Sequence, residues 1–199
     1  MKKAVKKILK IIGIIIAALV LIVVGFLVYN MIQTYKALNE PRLADNYYEN
    51  FIAGGELECR YSGKGDYAVN NISVESSNSS IKNIYIYYPA ELESSNALYP
   101  LIMIVNGSQC PAKTYLPFFE RLASWGFIVV GTDDPQAGTG ETTSEALDYC
   151  LNKSKIRSNI DSTNIGIVGY SQGGAGAINA VIKFSNSSMY KTLFTGSAA

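Results

Sequence analysis

The segment from residue 164 to residue 174 holds a serine in a spacing that supports nucleophilic chemistry. It reads Asn-Ile-Gly-Ile-Val-Gly-Tyr-Ser-Gln-Gly-Gly, so that Gly169, Ser171 and Gly173 form a Gly-x-Ser-x-Gly pattern after a short apolar run. An apolar strand followed by this pattern and by a helix-forming run predicts a nucleophile elbow, a sharp turn that lifts a serine hydroxyl clear of a parallel sheet. We therefore predict Ser171 as a nucleophile. Gly169 and Gly173 are the elbow glycines, because side chains at these positions would collide with the neighbouring strand and helix.

The same sequence contains no histidine. A serine nucleophile needs a neighbouring base to take its proton, and in hydrolytic triads that base is a histidine. Asp133 and Asp134 follow a strand-like run, but a triad acid normally comes after the nucleophile in chain order, so we interpret both as loop residues. We thus predict a nucleophile without a catalytic Asp or His in this chain.

Stabilising the oxyanion of an acyl-transfer reaction requires two backbone N–H groups. One comes from the residue after the nucleophile, here Gln172, and the other from the loop that follows an earlier strand. That loop is Asn106–Cys110, with Gly107 where the backbone must approach closely, and we predict Ser108 or one of its neighbours as the second donor. The sequence has no CxxC motif or Cys/His cluster, so we expect neither a metal nor a cofactor.

The flanking sequence predicts an α/β sheet that would position these residues. Strand-like runs at 67–75 and 81–88, separated by a Ser/Asn cluster, predict an antiparallel hairpin. Apolar runs then alternate with amphipathic helical patterns, which indicates a sheet covered by helices on both faces. Thr114 is expected to cap the first of these helices, and Thr142 with Glu145 forms a capping-box pattern for the next. The strand-like runs of this part lie at 101–105, 127–130, 165–168 and 192–195.

Residues from about 65 to 195 resemble the first part of an α/β-hydrolase of the cutinase, poly(ethylene terephthalate) hydrolase and chlorophyllase-like group. The matching stretches are 65–69, 99–107, 122–130 and 165–174, and the Leu-Ala-Ser-x-Gly-Phe-x-Val-Val phrase at 122–130 carries much of the likeness. The resemblance implies that Ser171 is the nucleophile and that the amides of Ser108 and Gln172 form the oxyanion hole. It also implies a small ester or acyl substrate.

The family's catalytic Asp and His lie on loops after later strands, which nothing in this sequence matches. The resemblance therefore implies the N-terminal part of a serine esterase domain, truncated before its last strands. The loop after the first parallel strand reads Asn106-Gly107-Ser108 instead of the commoner His-Gly or Pro-Gly with an aromatic residue. Two alternatives stay open, namely a catalytically inactive surface-anchored binding domain and a truncated product without function.

The N-terminal segment predicts a membrane anchor. Residues 1–10 form a basic N-terminus, and an uncharged apolar stretch at 11–32 is long enough to span a bilayer as a helix. Because lysines favour the cytoplasmic side, we expect a single-pass signal anchor in the cell membrane, with the following residues extracytoplasmic. Alternatives are a long cleavable signal peptide and a buried core helix. Residues 33–55 are expected to be a juxtamembrane connector, and residues 56–199 the partial hydrolase domain.

Charge and cysteine content limit the partners further. Six lysines precede the first acidic residue, Glu40, which leaves eleven basic and sixteen acidic residues in the remainder. A mildly acidic domain has no electrostatic basis for binding nucleic acid, so the predicted partners are the bilayer and a small substrate. Cys59, Cys110 and Cys150 allow at most one disulfide within the chain, and free thiols are equally compatible with the sequence.

Overall fold

The N-terminal unit of the chain is one long helix. In the computed structural model, which describes residues 2–39, 52 and 54–198, contacts divide the chain into two units, residues 1–42 and 43–199. Helix α1 spans Lys2–Asn39, which corresponds to about 57 Å at 1.5 Å per residue. Its side chains from residue 4 to residue 37 are exposed, and it is long and apolar enough to cross a membrane. Residues 33–39 of the predicted connector continue this helix, whereas 40–51 and 53 lie outside the described residues.

The second unit alternates strands and helices around one six-stranded sheet. Its helices are α2 (Glu56–Ser62), α3 (Leu116–Ser124), α4 (Glu141–Asn152) and α5 (Gln172–Lys183). Its strands are β1 (Val69–Glu75), β2 (Asn83–Pro89), β3 (Tyr99–Val105), β4 (Ile128–Thr132), β5 (Ile160–Tyr170) and β6 (Tyr190–Gly196). The predicted hairpin and all four predicted later strands are therefore present, and the mixed α/β sheet agrees with an α/β-hydrolase-like fold.

The sheet order is β1-β2-β4-β3-β5-β6. Strands β1, β2 and β4 pair antiparallel in succession, whereas β4, β3, β5 and β6 pair parallel. Val105, the last residue of β3, pairs with Gly169 near the end of β5. Because carboxyl ends of parallel strands meet at one edge, the loops after β3, β4 and β5 converge there.

Helices cover both faces of the sheet, as the sequence predicts. The fully buried Phe119 of α3 packs with Ile104 and Val129 on one face. On the other face Leu147 of α4 and Ala177 of α5 belong to the larger core cluster, which also includes residues of β3 and β5. Burying a side chain such as Phe119 contributes about 2–3 kcal/mol, so these contacts hold the site-bearing loops on a rigid base.

The two predicted threonine caps are wrong. Helix α4 begins at Glu141 after Gly140, whose φ of 78° lies in the left-handed region. Thr142 is instead buried inside the first turn, where its hydroxyl donates to Asp134 at 2.7 Å, so a tertiary partner replaces the local one. Residue 115 occupies the N-cap position of α3, and Thr114 lies in a preceding 3-10 turn.

The three cysteines are free in the structure. Cys59 is exposed, Cys110 is half-buried and Cys150 is buried. Burial raises the pKa of the Cys150 thiol to about 12. The thiol is therefore protonated at neutral pH and behaves as a small apolar core group.

Candidate active site

Ser171 occupies a sharp turn between β5 and α5. Strand β5 ends at Tyr170 and α5 begins at Gln172, which leaves Ser171 alone between them with φ 53° and ψ −127°. A residue other than glycine with this positive φ costs about 1–3 kcal/mol, so the surrounding structure must hold it in place. The Ser171 amide donates to the Gly196 carbonyl at 2.9 Å, and its carbonyl accepts from the Gly174 amide at 2.8 Å. These bonds connect the strained residue to β6 and to α5.

The glycines two residues before and after Ser171 lie against neighbouring backbone. A Cβ atom at Gly169 would stand 2.1 Å from the Gly173 carbonyl oxygen and 2.9 Å from the Cβ atom of Ala177. A Cβ atom at Gly173 would stand 2.1 Å from the carbonyl oxygen of Val105, at the end of β3. Neither position has room for a side chain, which gives the Gly-x-Ser-x-Gly spacing a steric cause in this fold.

The first turn of α5 directs unpaired N–H groups toward this turn. The early N–H groups of a helix lack intrahelical acceptors and carry the positive end of the helix dipole. The Gln172 amide is the first of them, and it has no acceptor among the described residues. Ser171 stands at the N-cap position, yet its side chain makes no capping hydrogen bond. Its hydroxyl also has no partner elsewhere in the described part of the chain, so no group there acts as its base.

The Asn106–Cys110 loop contains an exposed and unpaired amide at Ser108. The amide of Gly107 donates to the Tyr115 hydroxyl at 3.4 Å, and the amides of Gln109 and Cys110 donate to backbone carbonyls at 3.0 and 3.1 Å. The Ser108 amide has no acceptor in the described part of the structure. Ser108 is also exposed, unlike Gly107. Among residues 107–110 of this loop, Ser108 is thus the one whose N–H is both exposed and unpaired.

The loop containing Ser108 lies beside the turn containing Ser171. A Cβ atom at Gly107 would be 3.4 Å from the Tyr170 carbonyl oxygen, immediately before Ser171 in the chain. The pairing of β3 with β5 brings the two segments to the same edge of the sheet. The fold therefore places the three residues predicted from the sequence, Ser171, Ser108 and Gln172, at one edge.

Asp133 and Asp134 hold the loop after β4. The Asp133 carboxylate accepts hydrogen bonds from the side-chain amide of Asn83 at 3.1 Å and from the Tyr85 hydroxyl at 2.9 Å. Burial and the Asp133 carboxylate raise the pKa of Tyr85 to about 12. Asp134 accepts from the Thr142 hydroxyl and from a backbone amide of its own loop. Both carboxylates are nearly inaccessible to solvent and make structural hydrogen bonds, in agreement with their interpretation as loop residues.

Two further residues at this edge were not singled out from the sequence as site residues. Gln136, in the loop after β4, accepts a hydrogen bond at 3.0 Å from the Gln172 side chain. Tyr115, at the start of α3, lies against Gly107, and burial raises the pKa of its hydroxyl. The general rule that ligands bind beyond the carboxyl ends of parallel strands would have pointed to these loops, although not to the individual residues. In the described part of the chain no cluster of three or more His, Cys, Asp or Glu residues could hold a metal ion.

Comparisons with known proteins give one matching family model and several curated relatives. A family model described as PETase, PET hydrolase-like, matches residues 55–191. A bis(hydroxyethyl) terephthalate hydrolase of Streptomyces coelicolor is 32% identical over 143 residues, which cover 69% of this chain and 45% of that protein. Cutinase 2 of Thermobifida cellulosilytica is 34% identical over 100 residues, covering 47% of this chain and 37% of the cutinase. Cutinase cut1 of Thermobifida fusca is also 34% identical over 100 residues, covering 47% and 30%.

These relatives are ester hydrolases, and the matched family region contains Ser108, Ser171 and Gln172. The chain spans less than half the length of these curated relatives. The similarity therefore covers a part of each relative, and the matched region of this chain contains the strained turn at Ser171.

Proposed function

Since the chain belongs to the PET hydrolase-like family, we propose that it is the nucleophile-bearing part of a serine hydrolase acting on carboxylic esters. One observation carries the proposal. Ser171 is held at positive φ between β5 and α5, and its hydroxyl is not engaged by any described residue. Strain of this kind persists where the surrounding structure enforces it, and it concentrates at active sites.

In the proposed reaction the Ser171 Oγ attacks the carbonyl carbon of the ester while a base takes its proton. The carbonyl oxygen becomes an oxyanion, and the amides of Ser108 and Gln172 donate hydrogen bonds to it. Collapse of this intermediate expels the alcohol, which takes the proton from the base, and leaves an acyl group on Ser171. Water then attacks the acyl group and releases the acid.

The proposed reaction needs a base and an orienting acid, and the sequence contains no histidine to act as that base. We propose that both belong to a further part of the hydrolase, which agrees with the fact that the chain spans 45% of its Streptomyces relative. The proposed substrate is a small carboxylic ester, since one relative is named as a hydrolase of bis(hydroxyethyl) terephthalate, a small diester.

The proposed location is the cell membrane, with residues 11–32 of α1 in the bilayer and the hydrolase domain outside the cytoplasm. Support comes from the length and apolar composition of α1 and from the lysines that precede the apolar stretch. Basic residues beside a membrane-spanning helix favour the cytoplasmic side.

A catalytically inactive surface-anchored binding domain is the second candidate, and the absence of histidine from the sequence favours it. The two candidates differ in one chemical property. A latent nucleophile accepts an acyl group when a base is supplied from solution, whereas a binding domain has no reason to keep Ser171 reactive.

Chemical rescue tests this difference on the full chain in detergent micelles. The chain and a Ser171→Ala variant are incubated with p-nitrophenyl acetate, with and without imidazole, and the modified peptide is identified by mass spectrometry. We expect no hydrolysis without imidazole, and acetylation of Ser171 with it. Acetylation of Ser171 should be slow. A base that diffuses freely lacks the high effective concentration of a positioned base, which is about 10⁵ M or more. Acetylation of the peptide that contains residue 171 to the same extent in the chain and in the Ser171→Ala variant, or in neither, would refute the proposed function.

A further inference from the structure

Asn106 is a buried polar side chain at the start of the loop that contains Ser108. It follows the last residue of β3 and is only 1% exposed. Its side-chain amide donates two hydrogen bonds, to the backbone carbonyls of Thr132 and Asp134, the latter at 3.1 Å. The end of β3 is thus joined to the segment that follows β4 by a side chain and not only by the sheet.

Stability alone is a poor explanation for this residue. The Oδ1 atom of Asn106 is buried and has no hydrogen-bond partner within the described residues. An unpaired acceptor in the interior is costly, and such an atom in a native protein calls for a specific reason. The reason suggested by the structure is the placement of the residues that follow Asn106.

Residues on both sides of Ser108 form hydrogen bonds to residues 132–135, at the end of β4 and in the loop that follows it. Before it, Asn106 binds the carbonyls of Thr132 and Asp134, and after it the Gln109 amide donates to the Pro135 carbonyl at 3.0 Å. Gln109 also has a positive φ of 56°, which bends the loop back at this point. Ser108 lies between these hydrogen-bonded residues, so the orientation of its unpaired amide is restricted.

The backbone of Asn106 also contacts the beginning of α5. A Cβ atom at Gly173 would lie 2.5 Å from the Asn106 carbonyl oxygen, so the two backbones are in close contact. Gly173 is two residues after Ser171. Asn106 therefore touches both the segment that anchors the loop and the helix whose first amide belongs to Gln172.

We propose that Asn106 is a positioning residue that holds the Ser108 amide in register with Ser171 and the Gln172 amide. This inference rests on the proposed function, because it gives the Ser108 amide the task of binding the oxyanion. Asn106 itself does not touch the reacting atoms. It acts through the backbone of the next two residues.

Asn159 provides a matched control at the other end of the sheet. It is 8% exposed, and its side-chain amide donates to the carbonyls of Ser95 and Ala97 at 2.9 and 3.1 Å. It immediately precedes β5, whereas Ser171 immediately follows it. Replacing either asparagine by leucine removes two hydrogen bonds from a buried side chain to backbone carbonyls, and in Asn159 also one accepted from Ser158, but only Asn106 lies near the site.

The experiment compares Asn106→Leu, Asn159→Leu and the unaltered chain in detergent. Amide hydrogen exchange is measured across residues 107–110, where the hydrogen-bonded amides of Gly107, Gln109 and Cys110 report protection, and Ser171 acetylation is measured in imidazole. We expect Asn106→Leu to raise exchange at 107–110 about 10-fold and to slow acetylation about 10- to 100-fold, as misplaced oxyanion donors do. Asn159→Leu should lower the melting temperature by about as much as Asn106→Leu does, but it should change amide exchange at 107–110 and Ser171 acetylation by less than about twofold. Asn106→Ser, which leaves room for water at the two carbonyls, should show the same pattern if the leucine variant does not fold.

Selective effects of the Asn106 variants on both readouts would support the positioning role. Equal effects of the Asn106 and Asn159 variants, or unchanged exchange at 107–110 in the Asn106 variants, would overturn it. If Ser171 is not acetylated even in the unaltered chain, the proposed function fails. In that case the exchange data alone decide whether Asn106 holds the loop.

Discussion

Replacing Gly169 by alanine tests how closely the turn around Ser171 is packed. The added Cβ atom would lie 2.1 Å from the Gly173 carbonyl oxygen and 2.6 Å from its carbonyl carbon. A carbon atom needs about 3.3 Å from a carbonyl oxygen, so β5 and α5 would have to separate by about 1.2 Å. Both obstructing atoms are backbone, and no side-chain rotation relieves the contact.

The expected cost is at the upper end of the range for overpacked sites, about 3 kcal/mol. Gly166 provides the control, because it lies on the same strand and a Cβ atom there would meet its nearest neighbour, Ile102, at 3.9 Å. Gly166→Ala should be neutral or stabilising by about 0.5 kcal/mol, since alanine restricts the unfolded chain. The two variants should therefore differ by about 10 °C in melting temperature, at about 3 °C per kcal/mol for a domain of this size.

The assay is thermal unfolding of the full chain in detergent, monitored by the near-ultraviolet circular dichroism of the folded domain. Gly169→Ala should also lose Ser171 acetylation in imidazole, because the strained turn cannot form. Melting temperatures of the two variants within about 2 °C of each other would refute the steric account of this glycine.

Two further predictions concern stability. Ser171→Gly should stabilise the domain by about 1–2 kcal/mol, because glycine tolerates the positive φ. Ser171→Ala keeps the Cβ atom and should change the stability by less than about 0.5 kcal/mol. Equal denaturant midpoints of the two variants would contradict strain at Ser171. Burial and the hydrogen bond to Asp133 raise the pKa of Tyr85 from 10.0 to about 12, so the folded state favours the neutral phenol and its contribution to stability should be complete below pH 10 and lost as the pH rises toward 12. Tyr85→Phe should reduce this alkaline loss in denaturant titrations, and an identical pH dependence in the two proteins would contradict the assignment.

Much of the local architecture could be predicted from the sequence. The alternating run at 81–88 predicts a strand because its period of two matches a pleated chain with one buried face, and the structure has β2 at Asn83–Pro89. The continuous apolar runs similarly indicate strands buried on both faces. The predicted strand boundaries were less accurate. Strand β5 begins at Ile160, five residues before its apolar run, and the polar residues at 161–164 show no strand pattern in the sequence.

The threonine caps failed for a physical reason. A capping box is a local pattern, and it applies only when no distant group competes for the threonine hydroxyl. The Asp134 carboxylate accepts the hydrogen bond from the Thr142 hydroxyl, so Thr142 does not cap the helix. Gly140, with its positive φ, occupies the N-cap position of α4 instead. Nothing in the local pattern around residue 142 reveals a carboxylate eight residues earlier as the partner.

The sequence by itself determined the chemistry that this protein can offer: a serine between two glycines at an apolar strand end, a glycine-containing loop after an earlier strand, and no histidine. These features can be seen in the sequence because each lies within a few residues of the chain. Only the tertiary structure decided that Val105 of β3 blocks a side chain at Gly173, that β3 lies between β4 and β5, that Ser108 keeps an exposed and unpaired amide, and that Asn106 bridges two strand ends. Each of these depends on contacts between residues far apart in the chain, and such contacts exist only once the sheet has assembled.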